Sequence, residues 1–346
     1  MAVDRTIFTP DQASALAAGA FDEVEAALPL AGILPDVKEP STSVAWTPNE
    51  RIQQDQASFA TWDGNAPYDR KPGLGASLSL NLLPVRIQER VGEEDIIDAN
   101  GASADWLRDR LTDAFQRLGR QIAFRLEAAR LDTLVKGKFN INENGINNVE
   151  YDFRRDSTLN QALPKAKWNT ANADPVQDIK AWSKLIEAKD GIAPAAMIVS
   201  RETMEMLAAN KNVINYAAVT QPDVTRPVAS YQGVRNAFAG FAGINDILVL
   251  DDAYRDFAVA RSMRLPFNVA TLMEGQAILV PSLSGAAVGE TAIGPTAENK
   301  GRSGAQSLYA HVSRPDSNQP AYEAYATGTA LPVLRDANST LVAKIN

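Results

Sequence analysis

The residues from Ser103 to Gly137 constrain this chain more than any other stretch, because they read as one unbroken helix. Leu107, Leu111, Phe115, Leu118, Ile122, Leu126 and Ala129 recur at alternating steps of four and three, which is the stripe of a single helix face. Arg108, Asp109, Asp113, Arg117, Arg120, Arg125, Glu127 and Arg130 fall on the other face. Ser103 is placed to cap the N-terminus, and Gly137 after Lys136 to stop the helix. At 1.5 Å per residue the rod is ~50 Å long, about three times an ordinary helix. A rod of that length suggests a part that spans subunits rather than the core of an enzyme.

Composition narrows the function classes. With no cysteine among 346 residues, disulfides, thiolate nucleophiles and cysteine metal sites are excluded. The opening MAVDRTIFTPDQ has no basic-then-apolar leader, and no run approaches a membrane span, so the chain reads as neither secreted nor membrane-spanning. A net charge of −8, with the arginines of the long helix interleaved with acids, argues against tight or sequence-specific nucleic-acid binding.

Thr9-Pro10-Asp11-Gln12 predicts a capped helix start, and Ala13, Leu16, Ala17, Ala20, Phe21, Val24 and Leu28 form one apolar stripe ended by Pro29. We read this as a short amphipathic N-terminal arm. Residues 50 to 92 predict a long β-hairpin. One limb carries Ala57, Phe59 and Thr61. In the other, Leu78, Leu80 and Leu82 alternate with polar residues, and the alternation resumes at Val85 and Ile87. The turn-rich stretch Gly64 to Gly75 forms its tip. Such a hairpin is not stable alone in water and needs a partner surface. A tighter hairpin spans Phe139 to Phe153 around Asn144-Gly145. Residues 156 to 174 read as a loop. An α/β region follows, with helices from Asp174-Pro175 and from Ser200, a helix over 228 to 241, and strands at 195–199, 247–250 and 277–280. Residues 284 to 306 read as a loop, and 322–327 and 341–345 as closing strands.

No catalytic constellation emerges. His311 is the sole histidine and no nucleophile elbow exists to pair with it. Glu93-Glu94-Asp95 and Asp251-Asp252 lack the spacing of a calcium loop and read as solvated acidic loops. Gly73-Leu74-Gly75 lacks the Walker lysine spacing and reads as a turn. We therefore expect no catalytic, metal or cofactor site. The candidate residues are those of assembly: Asp69, Arg70 and Lys71 at the hairpin tip, Trp46, Phe21 and Gly119. Lys71 is either a solvated charge guarding an exposed edge or a partner for a neighbouring subunit. Gly119, which costs the helix about 1 kcal/mol relative to alanine, marks either a bend or close packing against a sheet.

Several strings, in order through most of the chain, resemble phage major capsid proteins of the lambda head-protein E family. Ser43-Val44-Ala45-Trp46 through Arg70-Lys71-Pro72 is similar to that family's extended loop. The helix ending Leu134-Val135-Lys136-Gly137-Lys138-Phe139 is similar to its spine helix, and Val149 to Phe153 to the strand after it. Trp168 followed by Asp174-Pro175-Val176-Gln177-Asp178-Ile179 resembles the start of its axial domain. Met197-Ile198-Val199-Ser200 with Met204 and Leu207 resembles a strand-helix step of these shells, and Tyr322 to Ile345 the closing strands of the peripheral domain.

The resemblance implies an α+β chain of the Hong Kong 97-like capsid fold. Its parts are an N-terminal arm (1–48), an extended hairpin loop (49–100), a peripheral domain with the spine helix (101–174), an axial domain (175–312) and return strands of the peripheral domain (313–346). It implies a self-assembling protein of the virion, formed in the host cytoplasm, whose hexamers and pentamers close an icosahedral shell around double-stranded DNA contacted non-specifically. It also implies scaffold, portal and decoration partners. Because the chain opens at the arm, a separate scaffold protein is the arrangement expected. It implies no enzyme activity. The readings set against it are an encapsulin-like compartment, a tail or decoration protein, and a cytoplasmic α/β enzyme centred on residues 175–280.

Overall fold

The structure is a computed structural model that describes residues 2–47, 78–98, 104–143, 146–220, 228–268, 273–285, 288–298, 308–314 and 321–346. Strand β1 (Ala2–Asp4) leads into helix α1 (Pro10–Glu25). The predicted capping box forms there: Gln12 N donates to Thr9 Oγ1 at 3.3 Å, and Thr9 N donates to Gln12 Oε1 at 3.1 Å. Strands β2 (Asp36–Lys38), β3 (Ser43–Trp46), β4 (Leu78–Asn81) and β5 (Leu83–Val91) follow, then the short helix α2 (Glu93–Asp98). The long helix α3 runs unbroken over Ala104–Lys136 and stops at Gly137, whose φ of 65° suits a residue without Cβ.

Strands β6 (Lys138–Glu143) and β7 (Ile146–Asp152) make the second predicted hairpin. The remaining elements are α4 (Pro175–Asp190), β8 (Ala196–Val199), α5 (Arg201–Ala209), α6 (Lys211–Thr220), α7 (Tyr231–Ala242), β9 (Asp246–Val249) and α8 (Leu250–Arg261). They are followed by β10 (Gln276–Val280), β11 (Glu290–Gly294), β12 (Tyr309–Arg314), β13 (Tyr322–Val333) and β14 (Leu341–Lys344).

Two sheets organise the chain. A six-stranded sheet has the order β1-β12-β13-β11-β2, with β5 also laddered onto β13 from Val91↔Tyr322 to Leu83↔Ala330. A four-stranded sheet has the order β14-β10-β8-β9. Its strands are continuous apolar runs because both faces are covered. Ile198, Ile278 and Val342 point into one core with the long helix and the six-stranded sheet. Met197, Val199, Leu279 and Leu341 point into a second core with α4, α5 and α7. In the second core Asp174 caps α4 by accepting from Gln177 N at 3.1 Å, and the buried Asp178 holds Trp168 Nε1 at 3.0 Å, which sets Trp168 against Trp182.

Several expectations are corrected here. The N-terminal helix is not a free arm: its stripe lies along α3, and Ser14 Oγ accepts from Ala310 N of β12 at 2.8 Å. The region read as a loop over 284–306 contains β11, every residue of it buried; its Glu, Ala and Gly carry little strand signal, and its register with β13 supplies what propensity does not. Strands β11 and β12 belong to the six-stranded sheet, so the 175–312 division does not hold at its end. Conversely, β14 pairs with β10, so the last strand belongs to the four-stranded sheet rather than with 313–346. β4 pairs with β3; the other expected limb, at 57–61, lies outside the described residues.

Candidate functional site

The N-terminal half of α3 is amphipathic as expected, but from Ile122 onward the helix is covered on nearly every side. Helix α1 lies on one flank. Phe257 of α8 meets Phe124 edge-on at 6.1 Å. All-round burial changes the meaning of the charges within it. Glu127 and Arg130, which the periodicity assigns to the polar face, are completely buried. The signal was present in Ile122, Ala123, Phe124, Leu126, Ala128, Ala129, Leu131, Leu134 and Val135, which together surround the axis with apolar side chains.

The two buried charges are fully partnered. Glu127 Oε1 accepts from the backbone N–H of Leu30 at 2.9 Å and from the Tyr254 hydroxyl at 2.8 Å, and Oε2 meets Arg130 Nη1 at 3.3 Å. Arg130 Nε donates to Thr291 Oγ1 at 2.7 Å, whose own hydroxyl donates to Leu34 O at 2.9 Å. Arg130 Nη2 reaches Asp36 Oδ1 at 2.6 Å and is also in ion-pair contact with Glu25. Five separate pieces of chain, α1, the 30–36 segment, α3, α8 and β11, are thus pinned at one point. Burial, and then the like charge of Glu25, push the Asp36 carboxyl up to about 7, with Arg130 pulling the other way. Burial raises Glu127 as well, against the pull of Arg130 and its two hydrogen-bond donors. Replacing Tyr254 by Phe removes a hydrogen bond to a buried carboxylate. It is expected to cost about 2 kcal/mol, read as a lowered urea midpoint with an unchanged slope.

Arg155 marks the other end of the same region. It is buried and donates to the carbonyl oxygens of Leu134 at 2.7 Å and Val135 at 3.4 Å, so it closes the last turn of α3 together with Gly137. Burial alone lowers its pKa to about 10.

Beside α3 runs an apolar groove of about 660 Å³. Ile122, Leu126 and Ala129 form its floor, Val85 and Ile87 of β5 one wall, and Phe139 and Ile141 of the β6–β7 hairpin the other, with Phe267 at one end. Arg125 and Glu143 pair across it at 2.7 Å. Val85, Ile87 and Ile141 are only half-buried in the isolated subunit. This is a concave surface with apolar walls and a charged rim, the form of a protein-docking site.

The residues singled out by sequence are distributed as follows. Asp69, Arg70 and Lys71 lie outside the described residues. Phe21 is buried between α1 and α3, and Trp46 is buried 5.9 Å from the ring of Phe153. Both rings are covered by this chain's own atoms, so any part they take in assembly is through the shape of the subunit. Gly119 touches α1 rather than a sheet: a Cβ there would stand 2.1 Å from the backbone oxygen of Ala17. His311 sits half-buried between Tyr309 and Tyr325, its pKa lowered by burial and partly restored by Glu298. Asp251 and Asp252, read as a solvated loop, instead open α8 and hold Arg201: its backbone N–H donates to Asp251 at 2.6 Å and its Nε to Asp252 at 3.0 Å. Asp95 accepts from Gly92 N and lies 3.6 Å from Arg110. Among the described residues no three acidic or histidine side chains converge to hold a metal ion, and no helix is long and apolar enough to cross a membrane.

Comparison with known proteins places these features in a family. The sequence family described as phage major capsid protein E matches residues 65–345. Among solved structures, the chain is similar to a phage-related protein of Bordetella bronchiseptica RB50, with 12% identity, a TM-score of 0.57 and 95% of each chain covered. It is similar to a prophage protein of E. coli CFT073 assigned to the capsid, with 14% identity, a TM-score of 0.57, and 95% of this chain and 97% of that one covered. The satellite phage P4 procapsid matches with 7% identity, a TM-score of 0.51, and 94% and 90% coverage. These establish a shared fold. No curated protein matches the chain in sequence at a significant level.

Proposed function

Since the chain belongs to the phage major capsid protein E family, we propose that it builds a phage head as hexamers and pentamers that close an icosahedral shell around double-stranded DNA. The observation that carries this is the family match over residues 65–345 on a subunit of the Hong Kong 97-like capsid fold. The groove along α3 supports it, because its half-covered apolar walls gain cover from another copy. Contacts of this kind, in which one surface meets a different one on the next copy, generate rings. The net charge of −8 suits a shell that touches DNA without gripping it. Scaffold, portal and decoration proteins are the further partners, and the host cytoplasm is the place of assembly. In this reading the subunit is a structural component and not an enzyme.

Co-expression with its scaffold, followed by electron microscopy, tests the proposal: closed particles are expected, and a monomer at every concentration rejects it. Deleting residues 65–73 is expected to leave the two sheets folded, with unfolding midpoint nearly unchanged, while closed particles fall at least tenfold. Normal particles from the deletion remove the hairpin tip from the assembly contacts.

A further inference from the structure

Among the described residues, the large hydrophobic side chains left exposed are Leu163, Leu185, Ile192, Val228 and Val259. Scattered singly they would mean nothing. They are instead grouped at the two ends of the four-stranded sheet, whose order is β14-β10-β8-β9. At the β14 end, α4 packs on the short turns at 157–159 and 337–339 that flank the edge strand. Ala162 bridges to Ala343 of β14, and Lys165 N donates to Asp178 of α4 at 3.2 Å, so Leu163 lies where strand and helix meet. At the β9 end, α8 follows β9 directly, and Arg201 of α5 donates to Asp252 of α8 at 3.0 Å.

The two ends differ in sign. On α4, Ala181, Leu185 and Ala188 are exposed at steps of four and three, and Ile192 continues the stripe beyond the helix. Lys180 and Lys184 flank it without an ion-pair partner among the described residues, whereas Lys189 is paired with Asp156 at 2.7 Å. Glu187 shares their flank, but the exposed Lys165 and Lys167 beside α4 keep this end basic. At the other end Val259 is exposed on α8, and Val228 adjoins the Ala229 amide that donates to Ala208 O of α5 at 2.9 Å. Arg201 and Arg255 are engaged by Asp252 and Asp256. Glu202 and Glu205 stand exposed on α5 with no ion-pair partner among the described residues, so this end is acidic.

We propose that these ends are the two halves of one contact between copies: the α4 end of one subunit seats on the α5–α8 end of the next, with Lys180 and Lys184 facing Glu202 and Glu205. This contact, which presupposes the shell proposed above, fixes the order of copies in its rings. The sheet holds its two ends apart, so they cannot meet within a subunit. Exposed apolar residues with opposite charge at each end make another copy of this chain the occupant that satisfies both at once. Unlike surfaces repeat head to tail and close a ring. The charges select the right face and reject the wrong one, and salt weakens their pull.

Charge reversal followed by scaffold co-expression and electron microscopy tests the pairing. Lys180→Glu with Lys184→Glu makes both ends acidic, and Glu202→Lys with Glu205→Lys makes both basic. Each double variant is expected to lose roughly tenfold or more in closed particles, because like charges then face each other. The quadruple variant restores opposite signs and is expected to recover to within about threefold of wild type. Mixed together, acidic and basic subunits fit only in alternation, so hexameric rings are expected and pentameric rings are not. The positions lie at the surface, so every variant is expected to keep the wild-type unfolding midpoint. Double variants that assemble as well as wild type overturn the contact and leave the shell reading standing, and so does a quadruple variant no better than the doubles. A wild type that yields no particles rejects the shell reading. The same comparison is then made on self-association in sedimentation at low and high salt, where equal behaviour of wild type and double variants overturns the contact as well.

Discussion

Arg130→Met is expected to destabilise the subunit by about 3–5 kcal/mol at neutral pH, the usual consequence of leaving buried ions without their partner. The substitution preserves volume and straight-chain shape, so the loss reports charge rather than a cavity. Three carboxylates remain, two of them buried beyond reach of water and one a quarter exposed. Without the guanidinium, which holds the Asp36 and Glu127 carboxyls down against their burial, these two take up protons at a higher pH than before, so the deficit should shrink as pH is lowered toward 5. The full effect lies above the raised carboxyl pKa values and fades below them. Denaturant unfolding of wild type and variant at pH 5 and pH 8 measures this. A deficit that is equal at both values shows that Arg130 acts by packing alone.

Gly119→Ala is expected to cost about 2–3 kcal/mol, although alanine favours an isolated helix by about 1 kcal/mol. The steric term wins because the added methyl would stand 2.1 Å from the Ala17 carbonyl oxygen and 3.2 Å from the Phe21 nitrogen. These are backbone atoms, so no rotamer change relieves the contact and α1 must lift from α3. For the same reason Ala17→Gly should fail to rescue the variant. Thermal unfolding of the single and double variants decides the matter, and a fully rescued double variant means that the conflict lies with the Ala17 side chain instead. Loss of α1 packing also strips cover from Phe21 and Phe115, both buried in that contact.

The two substitutions separate what could be read in the chain from what could not. Periodicity located the long helix to within a residue at its described end, and Thr9 and Asp174 announced the starts of α1 and α4, because caps and stripes are local properties of a helix. The sheets were less legible. Gly294, Gly328, Ala330 and Pro332 have poor strand propensity, yet they lie in β11 and β13 because their neighbours in the ladder supply the pairing. Glu127 and Arg130 were misassigned for a related reason: a helical wheel knows one apolar face, and cannot tell that α1 and α8 close over the others.

The linear order of residues by itself determined the helices, most strand positions, the absence of thiol chemistry and the kinship with capsid proteins, since each depends on neighbours along the chain or on a succession of short strings. Only the tertiary structure decided which strands share a sheet, that the N-terminal helix lies on its own subunit, that Gly119 faces a backbone, and that four charged side chains from three elements meet at one arginine nitrogen fork. Those facts concern residues far apart in the chain, such as Arg130 and Thr291, 161 positions apart, and Ser14 and Ala310, 296 apart, and no pattern of near neighbours encodes a meeting that burial in a common core brings about.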